Sequence, residues 1–142
     1  MKHNGMLKEF LSNPLITFVG VGIDEIVEKF EKETNFKFAK TMDLRKLAGQ
    51  ALRKYGLWNY SLEGLADLVL GYHMVVEKPK KIKWIDGNKR SQGNRACGSF
   101  CVEKVMYSTV DAFLSYEIGA VCMKMIRGNI DRQSSSKRSL SS

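Results

Sequence analysis

A tyrosine and an aspartate four residues apart, Tyr107 and Asp111, are the side chains of this 142-residue chain best suited to joint chemistry. They lie within residues 105–119, a stretch that predicts a helix ending at Gly119. Apolar residues recur there at steps of three and four and make one apolar stripe: Met106, Val110, Phe113, Leu114 and Ile118. Residues four apart lie one above the other on a helix face, so this carboxylate and phenol can together hold a metal ion and orient a water. The alternative, a tyrosine at the core rim and a solvated aspartate, is the more common outcome of this spacing alone.

Two apolar runs between helical stretches predict the elements that position this pair. The run from Leu15 to Ile23, L-I-T-F-V-G-V-G-I, is rich in β-branched residues and uncharged, as is typical of a strand buried on both faces. A helix over residues 24–35 with Asp24 as its N-cap, a strand over 38–44 and helices over 44–55 and 62–70 follow. Gly56 and Gly71 are the predicted helix ends, and Ser61 is the predicted cap of the last of these helices. The alternation predicts the α/β class, with parallel strands and flanking helices.

Composition and length indicate one domain and a tail. The chain is 44% hydrophobic and 27% charged, which is ordinary for a globular protein. We assign residues 1–126 to the domain and 127–142 to a polar tail, whose serine-rich end predicts disorder. No apolar run approaches the roughly 18 residues that span a membrane. Three cysteines, an odd number, favour a reducing intracellular compartment, the nucleus or cytoplasm.

A basic run surrounds a tryptophan in the third quarter of the chain, and the net charge of the chain is +8. The run, interrupted by an aspartate, consists of Lys78, Lys80, Lys81, Lys83, Trp84, Lys89, Arg90 and Arg95. Its cations are suited to the phosphates of a nucleic acid, and its tryptophan to stacking on a base. The alternative is a solvated loop whose tryptophan packs back on the core, and the sequence leaves both interpretations open.

The residues around the tyrosine–aspartate pair resemble a known motif. Y-S-T-V-D-A-F-L-S-Y-E-I-G, from Tyr107, resembles the third motif, Y-x-x-x-D-A, of the DEDDy class of 3'-to-5' exonucleases. That class includes ribonuclease D and the Werner syndrome exonuclease domain, and the closest likeness is to plant Werner-exonuclease-like proteins. F-V-G-V-G-I, from Phe18, resembles the strand leading into the second motif, and D-L-R-K-L-A and S-L-E-G-L-A-D-L-V-L-G follow in family order. The resemblance covers residues 7–120.

This resemblance implies a partial ribonuclease-H-like exonuclease fold and metal-dependent hydrolysis of phosphodiester bonds in DNA or RNA. It makes Asp111 a ligand of Mg²⁺ or Mn²⁺ and Tyr107 the group that orients the attacking water. The first motif, an Asp and a Glu two apart on a strand, has no counterpart before Leu15, and the second-motif aspartate is replaced by Ile26. Because one of four family carboxylates remains, we expect an N-terminally truncated domain with weak or no nuclease activity.

A non-catalytic interaction module is the second functional interpretation. It would bind nucleic acid or pair with a complete exonuclease partner without cleaving. In the family, the strand carrying the first motif lies beside the strand that matches Leu15 to Ile23. Without that neighbour, an apolar strand edge is open to pairing with another chain, so we expect self-association or a partner strand there.

Overall fold

The computed structural model describes residues 3–71 and 102–140. The elements in chain order are α1 (His3–Leu11), β1 (Phe18–Gly20), α2 (Ile23–Thr34), β2 (Thr41–Asp43), α3 (Leu44–Leu52), a 3₁₀ turn (Leu57–Asn59), α4 (Leu62–Leu70) and α5 (Val102–Ser139). The described chain is mostly helical, with a two-stranded parallel sheet and helices around it. The predicted α/β class with parallel strands is therefore confirmed. The basic run from Lys78 to Arg95 lies outside the described residues.

The parallel sheet is shorter than the sequence predicted, since each strand has three residues. Phe18 pairs with Thr41, and Gly20 pairs with Asp43. Gly22 then takes a left-handed conformation with φ of 66°, which turns the chain into α2 and ends the extended segment. The strand and the turn thus bring the start of α2 and the start of α3 close together.

Helices cover β1 on both faces, although its residues are only half-buried. The ring of Phe18 makes edge-to-face contacts with Phe10 of α1 and with Phe38, at centroid distances of 5.4 and 5.2 Å. Val19, whose side chain points to the opposite face, packs against Gly119 of α5. The uncharged sequence from Leu15 onward predicted a strand buried on both faces; the structure has packed elements on both faces, but the strand residues stay half-buried.

The core lies where α3 and α4 pack against α5. Its fully buried large side chains are Leu44, Leu47, Leu65, Leu114, Ile118 and Cys122. Two residues of the apolar stripe predicted on α5, Leu114 and Ile118, are thus confirmed as core. Met106 and Phe113, which the same stripe included, are exposed, so their assignment to the core is wrong. The reason is that the stripe contacting α3 and α4 steps by four residues from Val110 through Leu114 and Ile118 to Cys122.

Helix α5 has 38 residues and continues through Gly119, so the predicted helix end there is wrong. Gly119 is buried, and a Cβ built on it would lie 3.4 Å from Cγ2 of Val19. The missing side chain therefore allows close packing against β1. Helix α5 continues to Ser139, within the segment assigned to the polar tail, and the disorder of that tail stays a prediction. Residues 131–140 are all exposed, so their polar composition determines solvation without preventing helix formation.

The capping residues in the sequence predicted the start of one helix correctly and the start of another incorrectly. Ser61 caps α4 by accepting a hydrogen bond of 3.1 Å from the backbone N–H of Gly64, and Gly71 ends the helix in the left-handed conformation, as predicted. Helix α2 begins at Ile23 with Gly22 at the cap position, so Asp24 lies in the first turn instead. Its carboxylate still suits the positive end of the helix dipole.

Candidate functional site

The structure places Tyr107 and Asp111 one above the other in the first half of α5, about 6 Å apart along the helix axis. Both are half-buried, and they flank Val110, which packs against the core. The pair therefore lies at the edge of the packed face of the helix and not on its solvated side. The helical stacking on which the predicted site depends is present, whereas the chemical roles of the two side chains stay predictions.

The position of the second-motif carboxylate lies on the outside of α2. Ile26 is 64% exposed there, and Glu25 is also exposed. The carboxylate of Asp24 accepts a hydrogen bond of 3.0 Å from Nζ of Lys46 on α3. Helix α2 packs against β2, whereas α5 packs against β1, α3 and α4. At the start of α2, Asp24 thus pairs with α3, and Glu25 is exposed to solvent.

A metal centre is not assembled by the residues that the structure describes. Within residues 3–71 and 102–140, no group of three or more His, Cys, Asp or Glu side chains could hold a metal ion. Mg²⁺ requires near-octahedral oxygen coordination, and two such ions require several shared carboxylates. Asp111 by itself does not meet that requirement, so the described residues do not fit a two-metal centre.

The predicted nucleic-acid-binding residues lie outside the described part of the chain, between residues 72 and 101. They are Lys78, Lys80, Lys81, Lys83, Trp84, Lys89, Arg90 and Arg95. Their assignment to phosphate and base contacts stays a prediction.

A buried carboxylate that sequence analysis did not identify as important joins β1, β2 and α3. Asp43 is 4% exposed, and its Oδ1 accepts hydrogen bonds from the backbone N–H of Arg45 at 2.8 Å and from Nε of that residue at 3.0 Å. Its Oδ2 accepts from Nη2 of Arg45 at 2.7 Å and from the backbone N–H of Gly22 at 3.0 Å. Asp43 is thus the N-cap of α3 and also fixes the turn after β1.

The charge of Asp43 is stabilised by these donors. Burial alone would raise its pKa, but the hydrogen bonds from the side chain and backbone of Arg45 and from the backbone of Gly22 outweigh that effect. The pKa of Asp43 therefore lies below its ordinary value. An aspartate directly before a helical pattern is an N-cap signal, and that signal could have identified this residue from the sequence.

A second feature missed at the sequence level is a groove between the C-terminal half of α3 and the 3₁₀ turn, which we call the α3 groove. Its volume is about 500 Å³, and its described lining runs from Arg45 to Trp58. Helix α3 ends at Leu52, not at residue 55 as predicted, because Arg53 adopts the left-handed conformation with φ of 51°. Lys54 and Tyr55 follow it along the groove wall. The run R-K-Y-G-L-W between two predicted helices, with two cations and two aromatic residues, is the pattern that could have indicated this groove.

Comparison with solved structures finds an exonuclease domain. The chain is similar to the EXD2 exonuclease domain, with 20% identity and a TM-score of 0.33, over 87% of this chain and 57% of that one. A structure of that domain soaked in Mg and GMP matches with 21% identity and a TM-score of 0.34, over 87% and 59% of the two chains. The chain thus spans less than two thirds of these structures. No family model and no curated protein matches the sequence.

The helices of the described residues also bear on membrane association. None of the helices in residues 3–71 and 102–140 is both long and apolar enough to cross a membrane.

Proposed function

We propose that this chain is a 3'-to-5' exonuclease-like domain that binds nucleic acid and has weak or no hydrolytic activity. The observation that carries the proposal is the stacking of Tyr107 and Asp111 at the edge of the packed face of α5. The motif sequence around the pair, and the packing of the same helix against the parallel strand β1, support the exonuclease-like assignment.

The weak activity follows from the carboxylates that accompany Asp111. Two-metal hydrolysis needs a set of carboxylates that hold both ions, activate the water and stabilise the leaving oxygen. Ile26 is apolar and faces solvent, and Asp24 is hydrogen-bonded to Lys46. The described residues therefore provide Asp111 as a metal ligand and Tyr107 as a water-orienting group without the ligands that complete a centre.

A nuclease assay tests the catalytic part of the proposal. The full chain is incubated with 5'-labelled single-stranded and recessed-end DNA and RNA in the presence of Mg²⁺ or Mn²⁺. We expect slow shortening from the 3' end or none. Rapid metal-dependent shortening to completion, which Asp111→Asn abolishes and Asp131→Asn on the exposed end of the same helix leaves intact, would overturn it.

The binding part is tested by the salt dependence of affinity. Fluorescence anisotropy with a labelled single-stranded oligonucleotide should give an association constant that falls linearly with salt on logarithmic axes. The expected slope is about −0.7 for each phosphate neutralised. An affinity that does not change with salt, or no binding at low salt, would reject nucleic-acid binding.

Pairing through the strand edge is a second candidate function, favoured by the topology of the sheet. Within the described residues β1 pairs with β2 on one edge, and the sheet contains no other strand. A second copy or a complete exonuclease partner would add a strand beside the stretch from Leu15 to Ile23.

The exposed residue before β1 gives a cleaner test of strand pairing than a residue inside it. Leu15 is exposed, so Leu15→Lys adds a charge beside the strand edge without disturbing the core. Val19→Lys would also break the packing against Gly119. Sedimentation velocity at several concentrations should show an association that Leu15→Lys weakens. A monomer at every concentration, and no strand partner, would reject this candidate.

A further inference from the structure

We propose that the α3 groove is a binding site for single-stranded nucleic acid, with a base stacked on Trp58 or Tyr55 and the adjoining phosphates on Arg53 and Lys54. The inference deepens and rests on the proposed function, because it assigns nucleic-acid binding to residues other than those of the basic run. It rests on the exposure, charge and rigidity of the groove wall.

Two aromatic side chains are presented to solvent at this groove. Tyr55 is 98% exposed and Trp58 is 66% exposed, and both line the groove. Aromatic rings of this size usually lose most of their exposed area on folding, so two exposed rings on one groove indicate a surface that contacts a ligand. Every nucleobase has a planar face that can stack on such a ring.

The 3₁₀ turn holds the tryptophan in a fixed place. Leu57, its neighbour, is buried in the core, and the carbonyl oxygen of Trp58 accepts a hydrogen bond of 2.9 Å from Nη1 of Arg45. The guanidinium of Arg45 is itself fixed by its ion pair with Asp43. The backbone that carries the indole is therefore preorganised, which reduces the entropy lost when a ligand binds.

Positive charge lies next to the rings. Arg53 occupies the left-handed position after α3, where glycine is normally preferred, and Lys54 follows it. Lys46 and Arg45 also line the groove, and none of the described lining residues is acidic. Because the two latter cations already have carboxylate partners, Arg53 and Lys54 are the groups assigned to phosphates.

A second depression next to the α3 groove can bind the rest of a nucleic-acid strand. Arg53 also lines a shallower depression of about 440 Å³ against the C-terminal part of α5, together with Asn129, Arg132 and Ser136. The hydroxyl, amide and guanidinium groups there can contact a sugar–phosphate backbone. The two concavities share one arginine, so a strand of a few nucleotides can occupy both.

A nucleic acid fits this surface better than an acidic peptide does. An acidic peptide would satisfy the cations, but its carboxylates offer Tyr55 and Trp58 no aromatic ring to stack on. A nucleotide carries a phosphate and an aromatic base close together, as the groove carries cations and aromatic rings close together.

The experiment measures two probes on the full chain. The first is a labelled single-stranded deoxythymidine 12-mer, followed by anisotropy. The second is the dinucleotide of deoxythymidine, followed by quenching of Trp58 fluorescence in a Trp84→Phe background, where Trp58 is the remaining tryptophan. The groove variants are Trp58→Ala and Arg53→Gly, and the matched controls are Tyr116→Ala and Lys29→Ala on exposed faces of other helices.

We expect Trp58→Ala to weaken 12-mer binding about five- to a hundredfold, the effect of losing one stacked base. Arg53→Gly should weaken binding and reduce the salt slope by about 0.7. Because glycine accepts the left-handed conformation, that variant should keep or increase thermal stability, which separates lost binding from lost folding. The control variants should bind as the unmodified chain does.

Three results would overturn the inference. Unchanged 12-mer affinity in both groove variants would reject the α3 groove while leaving nucleic-acid binding by the basic run intact. Equal displacement of the 12-mer by a glutamate decapeptide would replace base stacking with acidic-peptide binding. Absence of Trp58 quenching by the dinucleotide would reject a nucleotide site in the groove.

Discussion

Replacing Asp43 by alanine is expected to destabilise the fold more than any other single carboxylate replacement discussed above. The substitution removes the N-cap of α3, the partner of the Gly22 N–H and the partner of the Arg45 guanidinium. Loss of an N-cap costs about 1 kcal/mol, and a buried donor left without its acceptor costs a further 1–3 kcal/mol or so. Arg45 is partly exposed and keeps the carbonyl of Trp58, so its loss is smaller than that of a fully buried ion.

We expect a total loss of about 3 kcal/mol in the free energy of unfolding for Asp43→Ala, or roughly 10 °C in Tm for a domain of this size. Asp43→Asn should lose about half as much, because one oxygen remains for the cap while the amide faces a second donor. Urea denaturation followed by circular dichroism measures both values.

A surface ion pair provides the control. Lys32 and Glu28 approach to 2.6 Å, but both side chains are largely exposed, so Glu28→Gln should leave the denaturation midpoint unchanged. If Asp43→Ala were as mild as Glu28→Gln, burial and multiple donors would not be what makes the Asp43 contacts stabilising.

The pH dependence follows from the lowered pKa of Asp43. A carboxyl group whose folded pKa is depressed stabilises the fold above its unfolded pKa of about 4. That stability is lost as pH falls through the folded pKa. The difference between the unmodified chain and Asp43→Ala should therefore be largest near neutral pH and should shrink below about pH 4. A difference that grows in acid would contradict this assignment.

Three further changes test the packing of α5 and the start of α4. Gly119→Leu should destabilise by about 1–3 kcal/mol through overpacking against Val19, whereas Gly128→Leu, with open space around it, should not destabilise, as thermal melts of both variants would show. Burial raises the pKa of the Cys122 thiol to about 11. Site-resolved alkylation of Cys122 at pH 8 should therefore be about a hundredfold slower than that of an exposed thiol, and fast alkylation would contradict its burial. The free energy of unfolding should fall as pH rises from about 9 towards 11. Ser61→Ala should cost about 1 kcal/mol in urea, and no change would mean that its cap hydrogen bond is not stabilising.

Features that depend on a few neighbouring residues could be predicted from the sequence alone. Ser61 and Gly71 determine where α4 begins and ends, because a serine hydroxyl can satisfy a free N–H and glycine accepts a positive φ. The α/β class followed from the order of apolar runs, and the stacking of Tyr107 and Asp111 followed from helix geometry. These are short-range properties of the chain.

The tertiary structure decided which apolar residues are buried and which glycine ends a helix. Gly119 has the composition of a stop signal, but contact with Val19 makes it a packing position inside α5. Met106 and Phe113 match the apolar period, yet α3 and α4 cover the neighbouring side of the helix. The reason is that burial depends on which elements lie opposite a residue, and that information is absent from local periodicity.

Long-range contacts likewise created the features that the sequence did not reveal. Asp43 acts on Gly22, 21 residues away in the chain, and Arg45 reaches the carbonyl of Trp58 across the α3 groove. By itself the sequence determined the helix and strand types and the spacing of the motif pair. Only tertiary packing brought the buried carboxylate of Asp43 to the turn at Gly22 and fixed the backbone of Trp58 through Arg45, because these contacts join residues that are distant along the chain.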